Sequence, residues 1–411
     1  MYRKFLSLLK NLTVSFEKMI NILTTQEHNP LYFHGAIPLY IFWFLIFSGI
    51  LLWMYYIPTL ERAWSSVNYI SALPLIEKGV VNPADPSSGI PYGSIIRGIH
   101  RYGAAGMMIA TILHMLRVYF TDRHRSWRWL PWISGVALLV LVLFVGITGY
   151  LLVWDNRAYA LTVWTQAFIA AIPIFGQGLS SFFIGGDGIT DYTLIRFFFF
   201  HVGGASLIFI LMWVHFIRLK YPVVTPSRAT NFLVLGFILV AAGAIPAINI
   251  TQELVEKYPS LRDQIAYVAS DAPANIGTLV ANVRYDVWYM FPYYLIEKLG
   301  ITGAWWIMGI STILLIVAPF YPKDRRDNIA EVIEAKCTGC TFCSLDCPFE
   351  AITMQDRAPG SKFKLIAVVQ EARCSECGIC VGACPFQAIE LPNMDSKAID
   401  GDVMALLKQG A

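Results

Sequence analysis

Apolar residues run in long, nearly unbroken blocks through the first 320 positions of this chain, and then the pattern stops. A block of about 20 apolar residues is long enough to cross a bilayer as a helix. Six such spans are expected, at roughly 36–56, 95–118, 132–152, 195–217, 231–249 and 303–320. A further apolar stretch, 158–176, carries Pro173 and runs into Gly176 and Gly178, so it is expected to break and lie at the interface. Residues 1–27 read as an amphipathic surface helix with Arg3, Lys4, Lys10 and Lys18 on its polar side, and no cleavable signal peptide is expected there.

Past Tyr321-Pro322-Lys323 the composition changes. Residues 323–411 hold 10 Lys+Arg against 13 Asp+Glu, a net of −3, while the chain before them is +6. Over all 411 residues, 56% are hydrophobic and 14% charged, where soluble domains carry about a quarter charged. The expected architecture is a membrane-embedded helical part followed by a small, acidic, soluble domain. That domain lacks a basic stripe, which excludes a nucleic-acid role.

Positive charge orients the bundle. Arg117, Arg123, Arg125 and Arg128 follow the second span, Arg218, Lys220 and Arg228 the fourth, and Lys323, Arg325 and Arg326 the sixth. Cytoplasmic loops carry such an excess. The N-terminus, these loops and the soluble tail are therefore expected on the cytoplasmic side of a prokaryotic-type inner membrane.

All eight cysteines lie in the tail, as Cys337-x2-Cys340-x2-Cys343-x3-Cys347-Pro348 and Cys374-x2-Cys377-x2-Cys380-x3-Cys384-Pro385. This run, repeated in full, is the ligand pattern of a two-cluster [4Fe–4S] ferredoxin. Disulfides and zinc ribbons fit it less well, since ribbons use paired Cys-x2-Cys without the trailing Cys-Pro. The fourth cysteine of each run ligates the other cluster in this arrangement. Cys337, Cys340, Cys343 and Cys384 are expected to hold one cluster, and Cys374, Cys377, Cys380 and Cys347 the second. A domain of this size has little core of its own, so ligation is expected to supply part of its folding energy.

Four of the seven histidines fall inside spans: His100 and His114 in the second, His201 and His215 in the fourth, each pair fourteen residues apart. Fourteen residues rise ~21 Å and come within ~40° of whole turns, so each helix presents two imidazoles on nearly one face. Polar groups at that depth are costly and usually functional. Imidazoles can bind zinc, copper or haem iron; with no Asp, Glu or Cys nearby, two imidazoles completing a planar macrocycle fit best. Gly35 and Gly49, and Gly135 and Gly149, repeat the fourteen-residue interval in the first and third spans, where a missing side chain admits a flat ligand. Arg97, Arg101 and Arg117 flank the histidines as candidate propionate partners; interfacial snorkelling explains each of them as well.

The segments Ile96-Arg97-Gly98-Ile99-His100-Arg101-Tyr102-Gly103-Ala104, Ile112-Leu113-His114-Met115-Leu116-Arg117-Val118-Tyr119 and Phe144-Val145-Gly146-Ile147-Thr148-Gly149-Tyr150-Leu151-Leu152-Val153-Trp154-Asp155 resemble the haem-binding helices of cytochrome b6. Ala171-Ile172-Pro173-Ile174-Phe175-Gly176 is similar to the interfacial region between that family's third and fourth spans. The resemblance implies a surface helix (1–30), a di-haem four-helix core (31–222), a two-helix segment similar to subunit IV (223–322) and the ferredoxin domain (323–411). It also implies two haem b, with His100 and His201 near the outer face and His114 and His215 near the inner, quinone as substrate, and a homodimer within a larger complex.

Departures from the family are informative. Its Pro-Glu-Trp-Tyr motif reads Asp286-Val287-Trp288-Tyr289 here, so Val287 stands where the family has a proton-accepting glutamate. Asp286, Trp288 and Tyr289 are the candidate outer quinone site, and Arg218 and Lys220 the inner one. No cysteine lies in the first span, so a covalently attached extra haem is not expected, and residues 71–94 look like an insertion. The expected function is a quinone/quinol oxidoreductase subunit that exchanges electrons with a cytosolic redox protein or enzyme through the clusters. Alternatives are a bifurcating quinol oxidase component with an outer Rieske protein or c-type cytochrome, and a non-catalytic membrane anchor.

Overall fold

A computed structural model describes residues 2–24, 28–71, 92–121, 123–125, 128–217, 225–247, 272–278, 283, 286–321, 329–371, 373–374 and 376–392. The expected insertion 71–94 lies mostly outside these residues, as do Arg218, Lys220, Lys323, Arg325 and Arg326. Among the described residues ten helices precede the tail: α1 (Tyr2–Thr24), α2 (Ala36–Trp53), α3 (Ala63–Ser71), α4 (Tyr92–Phe120), α5 (Trp129–Leu151), α6 (Asn156–Ala170), α7 (Gly176–Ile184), α8 (Asp191–Phe216), α9 (Arg228–Ala247) and α10 (Phe291–Val317).

Among the described residues five helices are long and apolar enough to cross a membrane: α2, α4, α5, α8 and α10 with its 3-10 extension to Phe320. The expected span 231–249 falls on α9, whose described apolar stretch, Arg228–Ala242, is shorter than a crossing. Residues 158–176 break as expected. The helix α6 is capped by Asp155, whose carboxylate accepts from Ala158 N–H at 2.8 Å, and ends at Ala170. Ile174 takes φ 71° and α7 begins at Gly176, leaving helices of 15 and 9 residues, both too short to cross. In α10, Gly300 adopts φ 71° and ψ 171°, so the crossing expected from residue 303 is preceded by a kinked helical segment from Phe291.

The described residues form two compact units. The first comprises 1–120, 136–212 and 223–313. Within it α4 packs against α1, α2, α3 and α9. A Cβ on Gly98 would lie 3.0 Å from the Ala242 carbonyl, so α9 meets α4 backbone to backbone. The outward stripe of α1 is Phe5, Leu8, Leu12, Phe16, Met19 and Leu23, all exposed, with Lys18 also exposed; helical spacing puts the apolar six on one face. Glu17 is buried instead, and takes a 2.6 Å ion pair from Arg117 on α4.

The second unit comprises 121–135, 213–222 and 314–411. Its tail has two antiparallel ribbons, β1 (Glu331–Val332) with β4 (Ile389–Glu390) and β2 (Ile352–Asp356) with β3 (Leu365–Val369), plus one-turn helices α11 (Phe342–Asp346) and α12 (Ile379–Gly382). The tail is an internal duplication. Gly339 and Glu376, Thr341 and Gly378, and Glu350 and Gln387 share positive φ, and each pair is 37 residues apart. Five cysteines belong to its buried core: Cys337, Cys343, Cys347, Cys374 and Cys380.

Candidate functional site

In the first unit, α4 and α8 bring His100 and His201 together with ring centroids 6.1 Å apart and planes inclined by 62°. Both line a mostly apolar cavity of about 410 Å³, with Gly49, Gly149, Arg97, Arg101, Tyr150 and Tyr289 also on its walls. Each imidazole is backed by one of the spaced glycines. A Cβ on Gly49 would stand 3.2 Å from Cε1 of His100, and one on Gly149 2.9 Å from Cε1 of His201. Each ring is also turned by its Nδ1. That of His100 lies 3.0 Å from Ser48 Oγ, and the ring also bonds the Leu45 backbone. That of His201 is 2.9 Å from the Val145 carbonyl and 3.4 Å from Thr148 Oγ1. A ring whose Nδ1–H is donated to the backbone keeps Nε2 as its basic, ligating nitrogen.

The other two histidines repeat the arrangement, one in each unit. His114 faces Gly35, with a Cβ there 3.1 Å from Cε1. His215, in the second unit, faces Gly135 at 3.2 Å; its Nδ1 meets Ser134 Oγ at 3.0 Å, and the ring also bonds the Pro131 carbonyl. All four glycines are thus matched one to one with the four histidines. A cavity walled by two imidazoles, with guanidiniums beside them and no Cβ behind them, fits a bis-histidine haem.

The arginines are already engaged. Arg97 donates to Ser71 Oγ at 2.8 Å. Arg101 donates to Asp286 at 2.8 Å and lies over the Tyr150 ring at 4.5 Å. Arg117, ion-paired with Glu17, holds the surface helix. Asp286 also accepts from the Tyr150 hydroxyl and from the backbone N–H groups of Trp288 (2.6 Å) and Tyr289 (3.2 Å). Burial raises its pKa, but Arg101 and these hydrogen bonds outweigh that and hold the carboxyl below its usual 3.8. The Tyr289 ring fills the space left by Gly146, where a Cβ would come within 2.0 Å of it, and its hydroxyl donates to the Ala104 carbonyl at 2.7 Å. Trp288 is 37% exposed and Val287 76%. Of the three candidate quinone residues, Tyr289 borders the histidine cavity and Asp286 fixes Arg101 on its wall.

In the tail the cysteines sort into two groups. Cys337, Cys340, Cys343 and Cys384 line one small cavity; Cys347, Cys374, Cys377 and Cys380 line the other. No three His, Cys, Asp or Glu side chains among the described residues converge closely enough for a single metal ion. The Ala351 N–H donates to Cys347 Sγ and the Ala388 N–H to Cys384 Sγ, both at 3.3 Å. Further backbone groups, of Gly339 and Ala367 at Cys337, Ser344 at Cys343 and Ile379 at Cys377, bond the sulfurs, an arrangement that favours an anion. Burial pushes the thiols of Cys343 and Cys380 up to about 11 and about 12.

The family model for cytochrome b/b6/petB matches residues 19–221, and that for a 4Fe-4S dicluster domain matches residues 336–388. A cytochrome b6 of Gloeobacter violaceus is 35% identical over 196 residues, covering 47% of this chain and 82% of the relative. The menaquinol:cytochrome c reductase cytochrome b subunit of Bacillus subtilis is 32% identical over 191 residues, covering 46% and 78%. The chain belongs to the cytochrome b/b6 family. A solved chain described as hyperthermophilic respiratory Complex III shares the fold, with a TM-score of 0.51 at 20% identity, covering 74% of this chain and 80% of its own.

This cytochrome b is a multi-pass membrane protein that ends in a dicluster ferredoxin domain; the family implies haem b and the dicluster domain implies 4Fe–4S clusters. One part of the histidine environment was missed in the sequence although its signal is there. A hydroxyl residue precedes three of the four glycines, as Ser48-Gly49, Ser134-Gly135 and Thr148-Gly149. The carbonyls of Leu45, Pro131 and Val145, each four residues before its glycine, bond the histidine that faces that glycine. The fourth glycine departs from the pattern: His34 precedes Gly35, and its own Nδ1 lies 2.5 Å from the Leu31 carbonyl.

Proposed function

We propose that this cytochrome b exchanges electrons between membrane quinone and a cytosolic redox partner through two b haems and the two clusters of its tail. The observation that carries the reading is the one-to-one matching of glycine and histidine on the same chain as two grouped cysteine quartets. His100 with His201, and His114 with His215, are the proposed haem ligands; the cysteine quartets are the proposed cluster ligands. These groups supply one-electron transfer. The residues supply the rest. Glycines admit the flat rings, backbone carbonyls fix the imidazoles, and Arg97 and Arg101 place positive charge beside the outer ring. Asp286, Trp288 and Tyr289 are kept as the proposed outer quinone site, and Arg218 and Lys220 as the inner one. The N-terminus and the ferredoxin domain are proposed to be cytoplasmic.

The test is anaerobic addition of quinol to the purified protein, following haem absorbance and cluster EPR together. Reduction of the haems followed by the clusters supports the route. Absence of exchange between haems and clusters in either direction sinks it.

A second reading is favoured by the Bacillus relative, a menaquinol:cytochrome c reductase subunit. In that reading an outer Rieske protein or c-type cytochrome takes one electron and the tail takes the other. Val287 in place of the motif glutamate, and the engagement of Asp286 by Arg101, weigh against it. Co-purification of a Rieske protein or c-type cytochrome with the native complex decides between the two.

A further inference from the structure

The duplicated tail is symmetric in its backbone but not in its surroundings. Phe349 follows Cys347-Pro348, and Phe386 follows Cys384-Pro385 at the equivalent place 37 residues on. Phe349 is 7% exposed and Phe386 48%. The difference has a named cause within the second unit. Arg128, immediately before α5, lays its guanidinium over the Phe349 ring at 4.3 Å. Among the described residues its buried Nε has no hydrogen-bond partner. Burial and neighbouring Arg123 push the guanidinium down to about 10, while the Cys377 sulfur acts the other way. Arg128 therefore keeps its charge at neutral pH, beside the cavity of Cys347, Cys374, Cys377 and Cys380.

The same stretch of chain reaches a proposed haem ligand. Ser134 and Gly135 hold His215, and they lie six and seven residues after Arg128. At 1.5 Å per residue that separation is about 10 Å along the helix.

We propose that the cluster of Cys347, Cys374, Cys377 and Cys380 is the entry cluster on the His215 side, that the cluster of Cys337, Cys340, Cys343 and Cys384 is the far one, and that Arg128 is the positioning residue that stabilises the reduced entry cluster. A positive charge beside a cluster that gains negative charge on reduction raises its potential, and such charges are among the levers that set cluster potentials. Each transfer moves one electron, from ferrous to ferric at the haem and from the 2+ to the 1+ state at the cluster, with no bond made or broken. This order rests on the proposed haem-to-cluster route.

The experiment is an EPR redox titration of the full-length protein with mediators, in wild type, Arg128→Gln and Arg128→Lys. A Cys377→Asp variant identifies the entry cluster by its altered signal. Arg128→Gln is expected to lower the ratio of reduced to oxidised cluster about tenfold at a fixed poise, about 59 mV for a one-electron couple. Arg128→Lys is expected to restore most of it, and the other cluster is expected not to move. A shift that falls on the Cys337 cluster, on both equally or on neither overturns the proposal. Mediators equilibrate every centre separately, so the titration reads cluster position even where no electron crosses from the haem. Rapid mixing then reads the route itself: reduction of the far cluster is expected to slow in Cys377→Asp, whose entry cluster is altered, and the entry cluster to be reduced normally in Cys340→Asp. If wild type shows no haem-to-cluster transfer while the Arg128 shift stands, the route fails and the assignment survives. If transfer occurs and the far cluster is reduced at the wild-type rate in Cys377→Asp, the order fails and the route survives.

Discussion

A Cβ placed on Gly149 would stand 2.9 Å from Cε1 of His201. The imidazole occupies space that only the absent side chain leaves open, and the same holds for Gly35, Gly49 and Gly135 against their histidines at 3.1–3.2 Å.

Gly149→Ala is therefore expected to push His201 off its ligating position and lose the haem it holds, a strain of about 1–3 kcal/mol. Gly203→Ala, on α8 with nothing within 4 Å of its Cβ, is the control. Reduced-minus-oxidised spectra should show a selective loss of haem b in Gly149→Ala and full content in Gly203→Ala. Equal content in the two variants would refute the packing argument.

Asp286 gives a pH-dependent prediction. Its folded pKa lies below 3.8, so the stability it contributes is fully present above that value and is lost as pH falls through the folded pKa. Asp286→Asn should destabilise the protein at pH 7 by on the order of 1–3 kcal/mol. That is less than for a fully buried pair, because Arg101 keeps 24% of its side chain exposed. The difference from wild type should shrink below pH 3.8. Thermal melts in detergent across that range check it, and a gap that widens in acid would contradict it.

Glu17 ties the surface helix to α4 through Arg117 at 2.6 Å. In Glu17→Gln the tie is weakened, and local opening of α1 should rise about fivefold, the equivalent of ~1 kcal/mol. Tryptic cleavage after Lys18, which is exposed, measures the opening rate; an unchanged rate would show that α1 is held by other contacts.

Removal of the clusters tests how the tail is held. Its core is built around Cys337, Cys343, Cys347, Cys374 and Cys380, so a protein stripped by oxidant and chelator should lose folded structure in residues 329–392. Hydrogen exchange should rise there while the b-haem spectrum is retained. Retained protection in the stripped tail would mean that ribbons β1–β4 and β2–β3 fold without metal.

The fourteen-residue intervals of His100/His114, His201/His215, Gly35/Gly49 and Gly135/Gly149 were legible because helical rise and turn fix which residues share a face, whatever surrounds them. The cysteine runs were legible because ligand spacing is local. The kink at Gly300 was not, because glycine inside an apolar helix is common and only the backbone shows that this one takes φ 71°. Nor were the partners of Asp286, because the fold brings Arg101 and Tyr150, distant in sequence, to its carboxylate.

By itself the sequence determined the classes of the centres: imidazoles at membrane depth, bare glycines at the same interval, and two cysteine runs on an acidic tail. These follow from composition and from periods shorter than one helix. Tertiary structure decided the pairings: which glycine backs which histidine, which carbonyl turns each ring, and why Phe349 is covered by Arg128 while Phe386 is not. Such pairings join residues tens to hundreds of positions apart. Packing selects them by shape and charge, and no local pattern encodes them.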